Sequence, residues 1–315
     1  MYFIVTALAL PIERLLGYPQ ALHRAIGHPV EWIGRFIGWL DRRFNPPDRP
    51  ASRGAGVLAL FALLLVTGAV AAGVAFLLRA LPFGWIAEAL VATAFLAQKS
   101  LRDHVQAVAD GLAASLDQGR QAVSQIVGRD PQALDRSGVS RAALESLAEN
   151  ASDGIVAPAF WLVVGGLPGI VLYKAINTAD SMIGHKSPRH LSFGWAAAKL
   201  DDLVNLPCSR FTGLLFALAA GFTRRANMKA SFEAMYRDAD RHVSPNAGWP
   251  EAALAGALGI RLGGPRSYGG RHVELACMGD GKDELDQIDI ERGLSLYGRS
   301  LTLLTVFVVL LALVS

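Results

Sequence analysis

Long apolar runs alternate with polar stretches along the chain, and the longest run predicts a membrane-spanning helix. Residues 55–78 carry no charge and are bounded by an arginine on each side. At about 1.5 Å per residue, this run is long enough to cross a hydrocarbon core about 30 Å thick. A second apolar run, 85–97, follows a turn at Pro82. We therefore predict a membrane hairpin over 55–97.

Three further apolar runs follow, and two of them are interrupted. The run 301–315 is nearly all aliphatic and predicts a C-terminal membrane helix. The run 154–176 is broken by glycines around Pro168, and 203–222 contains Pro207. Interrupted apolar segments are tolerated at membrane depth where they are buried in protein or line a polar cavity. We therefore predict broken helices and a re-entrant course for the first of them.

The remaining polar stretches also have the patterns of helices, and no convincing alternating strand pattern is present. Residues 98–127 are expected to continue the second helix of the hairpin, and a helix capped by Ser140 is expected to stop at Gly154. The predicted fold is an all-α polytopic membrane protein with broken or re-entrant helices and cytoplasmic helical loops. One membrane-embedded domain, 1–315, would comprise the hairpin 55–97, a motif-bearing region 98–222, a polar helical region 223–300 and the C-terminal helix 301–315.

Composition and charge agree with a membrane protein and exclude several other classes. Hydrophobic residues make up 52% of the chain and charged residues 18%, whereas soluble domains carry roughly 25% charged residues. A net charge of +3, with no basic run interleaved with aromatic residues, gives no sign of a nucleic-acid partner. The two cysteines form no disulfide framework. The seven arginines of 11–53 favour a cytoplasmic position for this loop.

A first polar cluster lies just before the broken run 154–176. Glu145 and Glu149 are one helical turn apart, and the cluster continues with Asn150, Ser152 and Asp153. An ordinary solvated helix face closed by a cap would also account for this pattern. Acidic groups at a helix C-terminus oppose the helix dipole, however, which indicates a cation nearby.

A second and a third cluster flank the next stretch of chain. The second contains Tyr173, Lys174, Asn177, Asp180, Ser181 and Lys186, directly after an apolar segment. The third contains Asp201, Asp202, Asn205 and Arg210. Adjacent carboxylates with nearby amides suit magnesium, although a helix start also favours acidic residues. Arg210 lies inside an apolar helix and needs a buried partner.

A fourth cluster has the residues of turns. Ser244-Pro245-Asn246 and the paired glycines around Arg266 are typical of tight turns. Backbone amides in such loops also bind phosphate, with Arg266 as a bidentate partner. Histidines such as His242 lack metal-ligand spacing, so we expect them to lie on the surface or in hydrogen bonds.

Taken in order, these motifs resemble those of the adenosylcobinamide-phosphate synthase family (CobD/CbiB). The resemblance rests on Glu145–Gly154, Tyr173–Met182, Gly184–Lys186, Phe193-Gly194, Asp201–Asn205 with Arg210, Ser244–Asn246 and Gly256–Gly259. Each motif alone is modest, but their order along 145–270 is specific. Cys208 stands where the family is expected to have alanine, and Ala179 where leucine is commoner; neither has a proposed polar role.

The resemblance implies an integral membrane enzyme of the late cobalamin pathway. Such enzymes join aminopropanol phosphate, or a related amino alcohol, to the f propionate of adenosylcobyric acid. ATP activates the carboxylate, and the product is adenosylcobinamide phosphate. The implied partners are the corrinoid, the amino alcohol phosphate, ATP and the lipid bilayer. Magnesium is the expected cofactor.

This implied reaction gives the polar residues their expected roles. Phosphoryl transfer needs a metal ion and cationic groups, and amide formation needs a base. The expected metal ligands are Asp180, Asp201 and Asp202. The expected catalytic residues are Lys174, Lys186 and Arg210, as phosphate or acyl-phosphate stabilisers, and Glu149 or Asp153, as the base. The expected substrate-binding residues are Asn150, Ser152, Asn177, Ser181, Asn205, Ser244, Asn246 and Arg266.

Because ATP and corrinoids are cytosolic, we expect these groups to converge in one pocket on the cytoplasmic side of the inner cell membrane. The main rival is a membrane transporter or carrier of a corrinoid, which would place polar residues inside the spans. The runs 55–78 and 301–314 contain almost none. A non-catalytic scaffold is a second rival. Small residues such as Gly256 permit close helix packing and leave open a homo-oligomer or a complex with pathway enzymes.

Overall fold

A computed structural model describes residues 1–46, 52–128, 131–264, 266–268, 271–273 and 276–314. Packing divides the chain into two compact units, which are described separately below. The first unit comprises Met1–Ala97, Ala157–Asn205 and Val308–Ser315; the second comprises Gln98–Val156 and Leu206–Phe307. The predicted division into one embedded domain rests on hydropathy along the chain and stays a prediction.

Four helical segments among the described residues are long and apolar enough to cross a membrane. They are Arg53–Arg79, Arg136–Ile183, Trp195–Ala220 and Gln287–Val314. Helices also form most of the remaining described chain. The predicted all-α membrane fold is therefore confirmed.

The first unit is built mainly from helices before residue 94 and from the helix that contains the second polar cluster. Its helices are α1 (Tyr2–Leu16), α2 (Gln20–Ile26), α3 (Pro29–Phe44), α4 (Arg53–Arg79), α5 (Gly84–Thr93) and α9 (Ala157–Ile183). The predicted span 55–78 lies within α4, which begins where the Ser52 hydroxyl accepts a hydrogen bond from the Ala55 N–H at 3.2 Å. Serine is a favoured residue at this position because it satisfies an N–H that has no partner within the helix.

The second arm of the predicted hairpin is much shorter than the first. Helix α5 has only 10 residues, a length of about 15 Å that does not cross a bilayer alone. The N–H groups of Ala94, Phe95 and Leu96 bond to carbonyls three residues earlier, which tightens the chain and ends the helix. The expectation that 98–127 continues this helix is therefore wrong, because a new helix begins at Gln98.

Helix α9 is broken where the glycines predicted a break. Gly166 has φ 61° and ψ −152°, outside the helical region. A Cβ on Gly169 would lie 2.2 Å from the carbonyl oxygen of Trp161, whereas eight residues of a straight helix span about 12 Å. The two halves of α9 therefore fold back on each other at this point. The predicted broken helix is confirmed, while its re-entrant course through a bilayer stays a prediction.

A buried ion pair stabilises the break in α9. Glu88 is fully buried, and its carboxylate binds the Arg79 guanidinium through two contacts of 2.7 and 2.9 Å. The same carboxylate accepts a hydrogen bond from the N–H of Leu167 at 3.3 Å. Leu167 begins the second half of α9, where helical N–H groups lack partners and the helix dipole favours a negative charge. Glu88 thus caps this half-helix from another helix.

The second unit contains most of the remaining helices and the only strands in the described chain. Its helices are α6 (Gln98–Ala114), α7 (Leu116–Val123), α8 (Arg136–Ala151), α11 (Met228–Asp238) and α12 (Gly248–Leu258). A π-helical segment, Ser152–Val156, follows α8, and a 3-10 turn, Ala239–Arg241, follows α11. Helices α10 (Trp195–Ala220) and α13 (Gln287–Val314) contribute residues to both units.

Two details of the predicted helix before the break are wrong. The N-cap of α8 is Asp135, whose carboxylate accepts a 2.7 Å hydrogen bond from the Gly138 N–H. Ser140 lies inside the helix and donates to the Arg136 carbonyl at 3.0 Å. The helical course also does not end at Gly154, because the π-helical segment Ser152–Val156 leads directly into α9.

The predicted helical region 223–300 contains two short antiparallel sheets. Strand β1 (Leu262–Gly263) pairs with β4 (Cys277–Met278), and β2 (Arg266–Tyr268) pairs with β3 (Arg271–Val273). The prediction for this region did not include these strands, but they are too short to change the all-α class. Strands of two or three residues are too short to show an alternating pattern.

The close approach within α9 predicts different changes in stability when two of its glycines are replaced by alanine. Gly169→Ala places a Cβ against the Trp161 carbonyl and is expected to destabilise the protein by about 1–3 kcal/mol. Gly165→Ala has nothing within 4 Å of the added Cβ and is expected to be neutral or slightly stabilising. Thermal unfolding in detergent measures both, and equal melting temperatures for the two variants would contradict the folded-back arrangement.

The buried pair predicts that single changes cost more than the double change. Arg79→Met leaves the fully buried Glu88 carboxylate without its cation and is expected to lose about 3–5 kcal/mol of stability. In the variant that combines Glu88→Leu with Arg79→Met, part of this loss should be recovered because no unpaired charge remains. Urea unfolding of the four proteins tests this, and strictly additive losses would contradict the pair.

Candidate functional site

The first unit joins the second and third polar clusters through a chain of hydrogen bonds. The Tyr173 hydroxyl donates to Asn205 Oδ1 at 2.9 Å, and Asn205 Nδ2 donates to Asp201 Oδ2 at 3.0 Å. On the other side, Asn177 Nδ2 donates to Asp201 Oδ1 at 3.3 Å, and Lys174 Nζ donates to Asn177 Oδ1 at 3.4 Å. These five residues, named here the Asp201 network, link α9 to α10.

Burial makes the Asp201 network necessary for its central carboxylate. Asp201 is 8% exposed, Asn205 0% and Tyr173 1%. A carboxylate removed from water is tolerated only where donors replace the lost hydration. Each oxygen of Asp201 receives one amide N–H, and both amides are themselves held by a further donor. The carboxylate is therefore fixed in one orientation.

Two further carboxylates lie in the electrostatic neighbourhood of Asp201. Asp180 and Asp202 both act on it, and Asp202 forms an ion pair with Lys199 at 3.3 Å. The carboxylate of Asp180 packs against Gly184, where an added Cβ would lie 1.9 Å from Oδ1. The glycine of the Gly184-His-Lys motif is thus required for space. Asp180, Asp201 and Asp202 are therefore electrostatic neighbours of one another.

The donor set of this cluster fits magnesium, although it does not form a closed metal site. Among the described residues, no group of three or more His, Cys, Asp or Glu side chains has metal-binding geometry. Magnesium needs only one or two carboxylates and completes its shell with water and phosphate oxygens. Neighbouring carboxylates repel each other, and a divalent cation would offset that repulsion. Magnesium binding by Asp180, Asp201 and Asp202 stays a prediction.

Other predicted residues of the first unit lie outside the network. Ser181 is exposed and donates to the Asn177 carbonyl at 2.9 Å within its own helix. Lys186 is exposed in the loop after α9. Their predicted roles in substrate binding and phosphate stabilisation stay predictions. His28, which the sequence patterns missed, is an electrostatic neighbour of Lys174; burial lowers its pKa, Glu31 opposes this, and Lys174 lowers the pKa further.

The second unit contains a cavity of about 350 Å³ bordered by part of the first polar cluster. Glu149 and Asn150 line it and are exposed. The wall also includes residues to which the sequence analysis gave no role, namely Glu145, Ser146, His242 and Glu251. The one-turn spacing of the two glutamates was a usable signal for Glu145, whereas nothing in the sequence linked it to His242, about a hundred residues later.

Two contacts shape this cavity. Glu145 Oε1 accepts a 2.8 Å hydrogen bond from the N–H of Gly263 in strand β1, and His242 Nε2 lies 3.8 Å from Glu251 Oε1. The expectation that His242 is a surface or hydrogen-bonded histidine agrees with its contacts around Ser244. The cavity thus combines carboxylates, an amide, a hydroxyl and an imidazole, which are the groups that transfer protons and orient polar substrates.

Ser152 and Asp153 lie in the π-helical segment that follows α8. Ser152 is 1% exposed, and its hydroxyl has no hydrogen-bond partner among the residues described. Asp153 is partly buried and acts electrostatically on Cys208. Single π-helical turns inside α-helices often occur at functional sites, so the location agrees with the predicted roles but does not assign them.

Arg210 and the fourth polar cluster come together elsewhere in the second unit. The Ser209 hydroxyl donates to Asn246 Oδ1 at 3.2 Å, and the Arg210 guanidinium carbon lies 4.7 Å from the centre of the Trp249 ring. Ser244 accepts the N–H groups of Asn246 and Ala247, both at 3.2 Å, so its hydroxyl serves the predicted turn. Nothing in the sequence pattern predicted a role for Trp249. Arg266 lies in β2, but its side chain is outside the described residues.

Comparison with known proteins identifies the family. The family model described as CobD/Cbib protein matches residues 6–297. The chain belongs to the CobD/CbiB family. It is 48% identical to "Cobalamin biosynthesis protein CobD" of Sinorhizobium sp, covering 99% of this chain and 98% of that protein. It is 50% identical to the protein of the same name from Rhodobacter capsulatus, covering 96% and 95%.

No solved structure matches the chain. The resemblance to this family, inferred from motifs between residues 145 and 270, is confirmed over nearly the whole length. The motifs that supported it, Tyr173–Met182 and Asp201–Asn205, contain all five residues of the Asp201 network. The family assignment thus rests on more of the chain than the polar clusters alone.

The Asp201 network predicts that the single hydroxyl of Tyr173 contributes measurably to the stability of the protein. Tyr173→Phe leaves Asn205 Oδ1 buried without its donor and is expected to destabilise the protein by about 1–3 kcal/mol. Tyr236→Phe removes the same atom from a side chain that is 73% exposed and should change little. Melting temperatures in detergent measure the difference, and an unchanged value for Tyr173→Phe would show that the hydrogen bond contributes nothing.

Proposed function

We propose that the protein ligates an amino alcohol phosphate to adenosylcobyric acid at the expense of ATP. The bond formed is an amide between the amine and the f propionate, and the product is adenosylcobinamide phosphate. Membership of the CobD/CbiB family supports a role in cobalamin biosynthesis. The proposed ligase reaction is supported by the Asp201 network. A fixed carboxylate with two acidic neighbours and a lysine is suited to phosphoryl transfer.

The proposed reaction has two steps whose atoms balance. In the first, a propionate oxygen attacks the γ-phosphorus of ATP, and ADP leaves with the electron pair of the broken bond. In the second, the amine attacks the carbonyl carbon of the acyl phosphate, inorganic phosphate leaves, and a base takes the ammonium proton. Both steps develop negative charge on phosphate oxygens, so cationic groups held in place lower the barriers.

The residues of the first unit are assigned to the phosphoryl-transfer step. Asp180, Asp201 and Asp202 would hold magnesium, which supplies charge neutralisation of the phosphates when bound. Lys174 donates to Asn177 at 3.4 Å, a long contact that a phosphate oxygen can replace. Lys186 is assigned the same role from the exposed loop. Asn205 is fully buried, so we assign it to positioning Asp201.

The residues of the second unit are assigned to amide formation and substrate orientation. Glu149 lines the polar cavity and is our choice for the base, with Asp153 as the other candidate. Asn150 is exposed and offers neutral hydrogen bonds that suit the many amide groups of a corrinoid. Ser152 and Asn246 are buried and Ser244 holds a turn, so we assign these three to positioning the groups around the substrate. Arg210 is assigned to phosphate. We place the protein in the inner cell membrane with its active site facing the cytoplasm, where ATP is found.

The proposal predicts product formation that depends on Lys174. Purified protein given adenosylcobyric acid, aminopropanol phosphate, magnesium and ATP should form adenosylcobinamide phosphate and ADP in equal amounts, measured by mass spectrometry. Lys174→Met should reduce turnover by about 10²–10³-fold because a charge on the transferred phosphoryl group is lost. Lys229→Met, with a side chain 86% exposed, is the matched control.

The same preparation in vesicles tests the rival function. A transporter would move the corrinoid across the membrane without forming product. Uptake without product, or product formation unaffected by Lys174→Met, would contradict the proposal. Replacing aminopropanol phosphate by other amino alcohols, with and without phosphate, would identify the natural substrate.

A further inference from the structure

Arg210 is a cation in an apolar helix whose described partners are all neutral. Its Nη1 atom contacts four oxygens: the Leu206 carbonyl at 3.0 Å, Ser209 Oγ at 3.3 Å, and the Pro245 carbonyl and Asn246 Oδ1 at 3.5 Å. No carboxylate in the described part of the chain lies within ion-pair distance of the guanidinium. A partly buried charge without a counter-charge is unfavourable. The position therefore favours the binding of an anion.

The contacts of Arg210 leave one edge of the guanidinium available. All four described contacts involve Nη1. No described residue accepts a hydrogen bond from Nε or Nη2, and neither atom is buried without a partner, so both are accessible to a ligand. The N–H bonds of Nε and Nη2 point in the same direction. This pair of donors matches two oxygens of a phosphate or carboxylate.

Trp249 fixes the guanidinium and adds a donor. The Arg210 guanidinium carbon lies 4.7 Å from the centre of the indole ring, a cation–π contact that limits rotation of the side chain. The indole Nε1 of Trp249 is buried and has no acceptor among the residues described. A buried N–H without an acceptor is unfavourable, so this group also favours an oxygen-bearing ligand.

The start of helix α12 adds to the positive potential. Trp249 lies in the first turn of α12, and Asn246 lies two residues before the helix begins at Gly248. The N-terminal end of a helix has a partial positive charge, which adds to the charge of Arg210. The acidic residue of the same turn, Glu251, lies 3.8 Å from His242. Two cationic features therefore meet at one place.

We propose that Arg210 and Trp249 form a metal-free site for a phosphate monoester. Because the guanidinium already supplies a positive charge and two parallel donors, a phosphate can bind there directly, without a bridging divalent ion. The natural ligand, the phosphate of the amino alcohol, rests on the proposed function. A phospholipid headgroup has the same chemistry, so the experiment must distinguish the two sources.

Binding without ATP or magnesium tests the site directly. The full-length protein in detergent with EDTA is titrated calorimetrically with 1-amino-2-propanol phosphate and with unphosphorylated 1-amino-2-propanol. We expect the phosphorylated compound to bind at least about tenfold more tightly. Arg210→Met should weaken its binding about 100-fold, since two charged hydrogen bonds are lost. Arg210→Lys should recover part of the affinity because it keeps the charge.

Two further variants separate specific effects from general ones. Trp249→Phe keeps a ring beneath the guanidinium but removes the indole N–H, and we expect binding about tenfold weaker. Arg224→Met removes an exposed arginine of the same unit and should leave binding unchanged. Melting temperatures of all variants identify any that fail to fold. Equal binding by Arg210→Met and the unmutated protein, or binding only when magnesium is present, would overturn the site.

A separate measurement tests whether the bound phosphate group belongs to a phospholipid. Mass spectrometry of the intact protein would detect a phospholipid that stays bound to the unmutated chain and is lost from Arg210→Met. That result, together with unchanged affinity for the amino alcohol phosphate in Arg210→Met, would overturn the assignment to the amino alcohol. Because the binding measurement contains no ATP, it tests the phosphate site separately from ligase activity. Intact binding without turnover in the ligase assay would contradict the proposed function but not the phosphate site.

Discussion

Apolar helices accept a carboxylate only where protein donors replace water, and this constraint organises the first unit. Asp201 is almost completely buried in a helix apolar enough to cross a membrane. Its two oxygens are satisfied by amides from two helices, and a buried tyrosine holds one of these amides. The Asp201 carboxylate therefore connects α9 to the first part of α10 through these hydrogen bonds. A network with this many buried polar members is unfavourable unless every member is satisfied.

The break in α9 gives that network its geometry. Gly166 adopts a left-handed φ, and Gly169 lets the two halves of the helix approach each other. Glu88 satisfies an N–H at the start of the second half, and Arg79 balances its charge. The second half of α9 contains Tyr173, Lys174, Asn177 and Asp180. A local break, an ion pair and the polar network are thus parts of one arrangement.

Sequence patterns predicted the features that depend on local chemistry. Apolar length predicted the spans within α4 and α13, glycine and proline predicted the break in α9, and the spacing of polar residues identified the members of the Asp201 network. Features that depend on long-range contacts were missed. Glu88 lies in an apolar run with no local partner, and His242 and Trp249 gain significance only from tertiary packing. The short strands were missed because two residues cannot show a period, and a π-helical segment has no distinctive residue pattern.

The most direct test of this account asks whether Asp201 serves chemistry or folding alone. Asp201→Asn keeps the size of the side chain and one of its two acceptor oxygens, but removes the charge. We expect a folded protein, with a melting temperature within a few degrees of the unmutated one, that forms no adenosylcobinamide phosphate. A folded Asp201→Asn protein that makes the product at the unmutated rate would contradict this expectation.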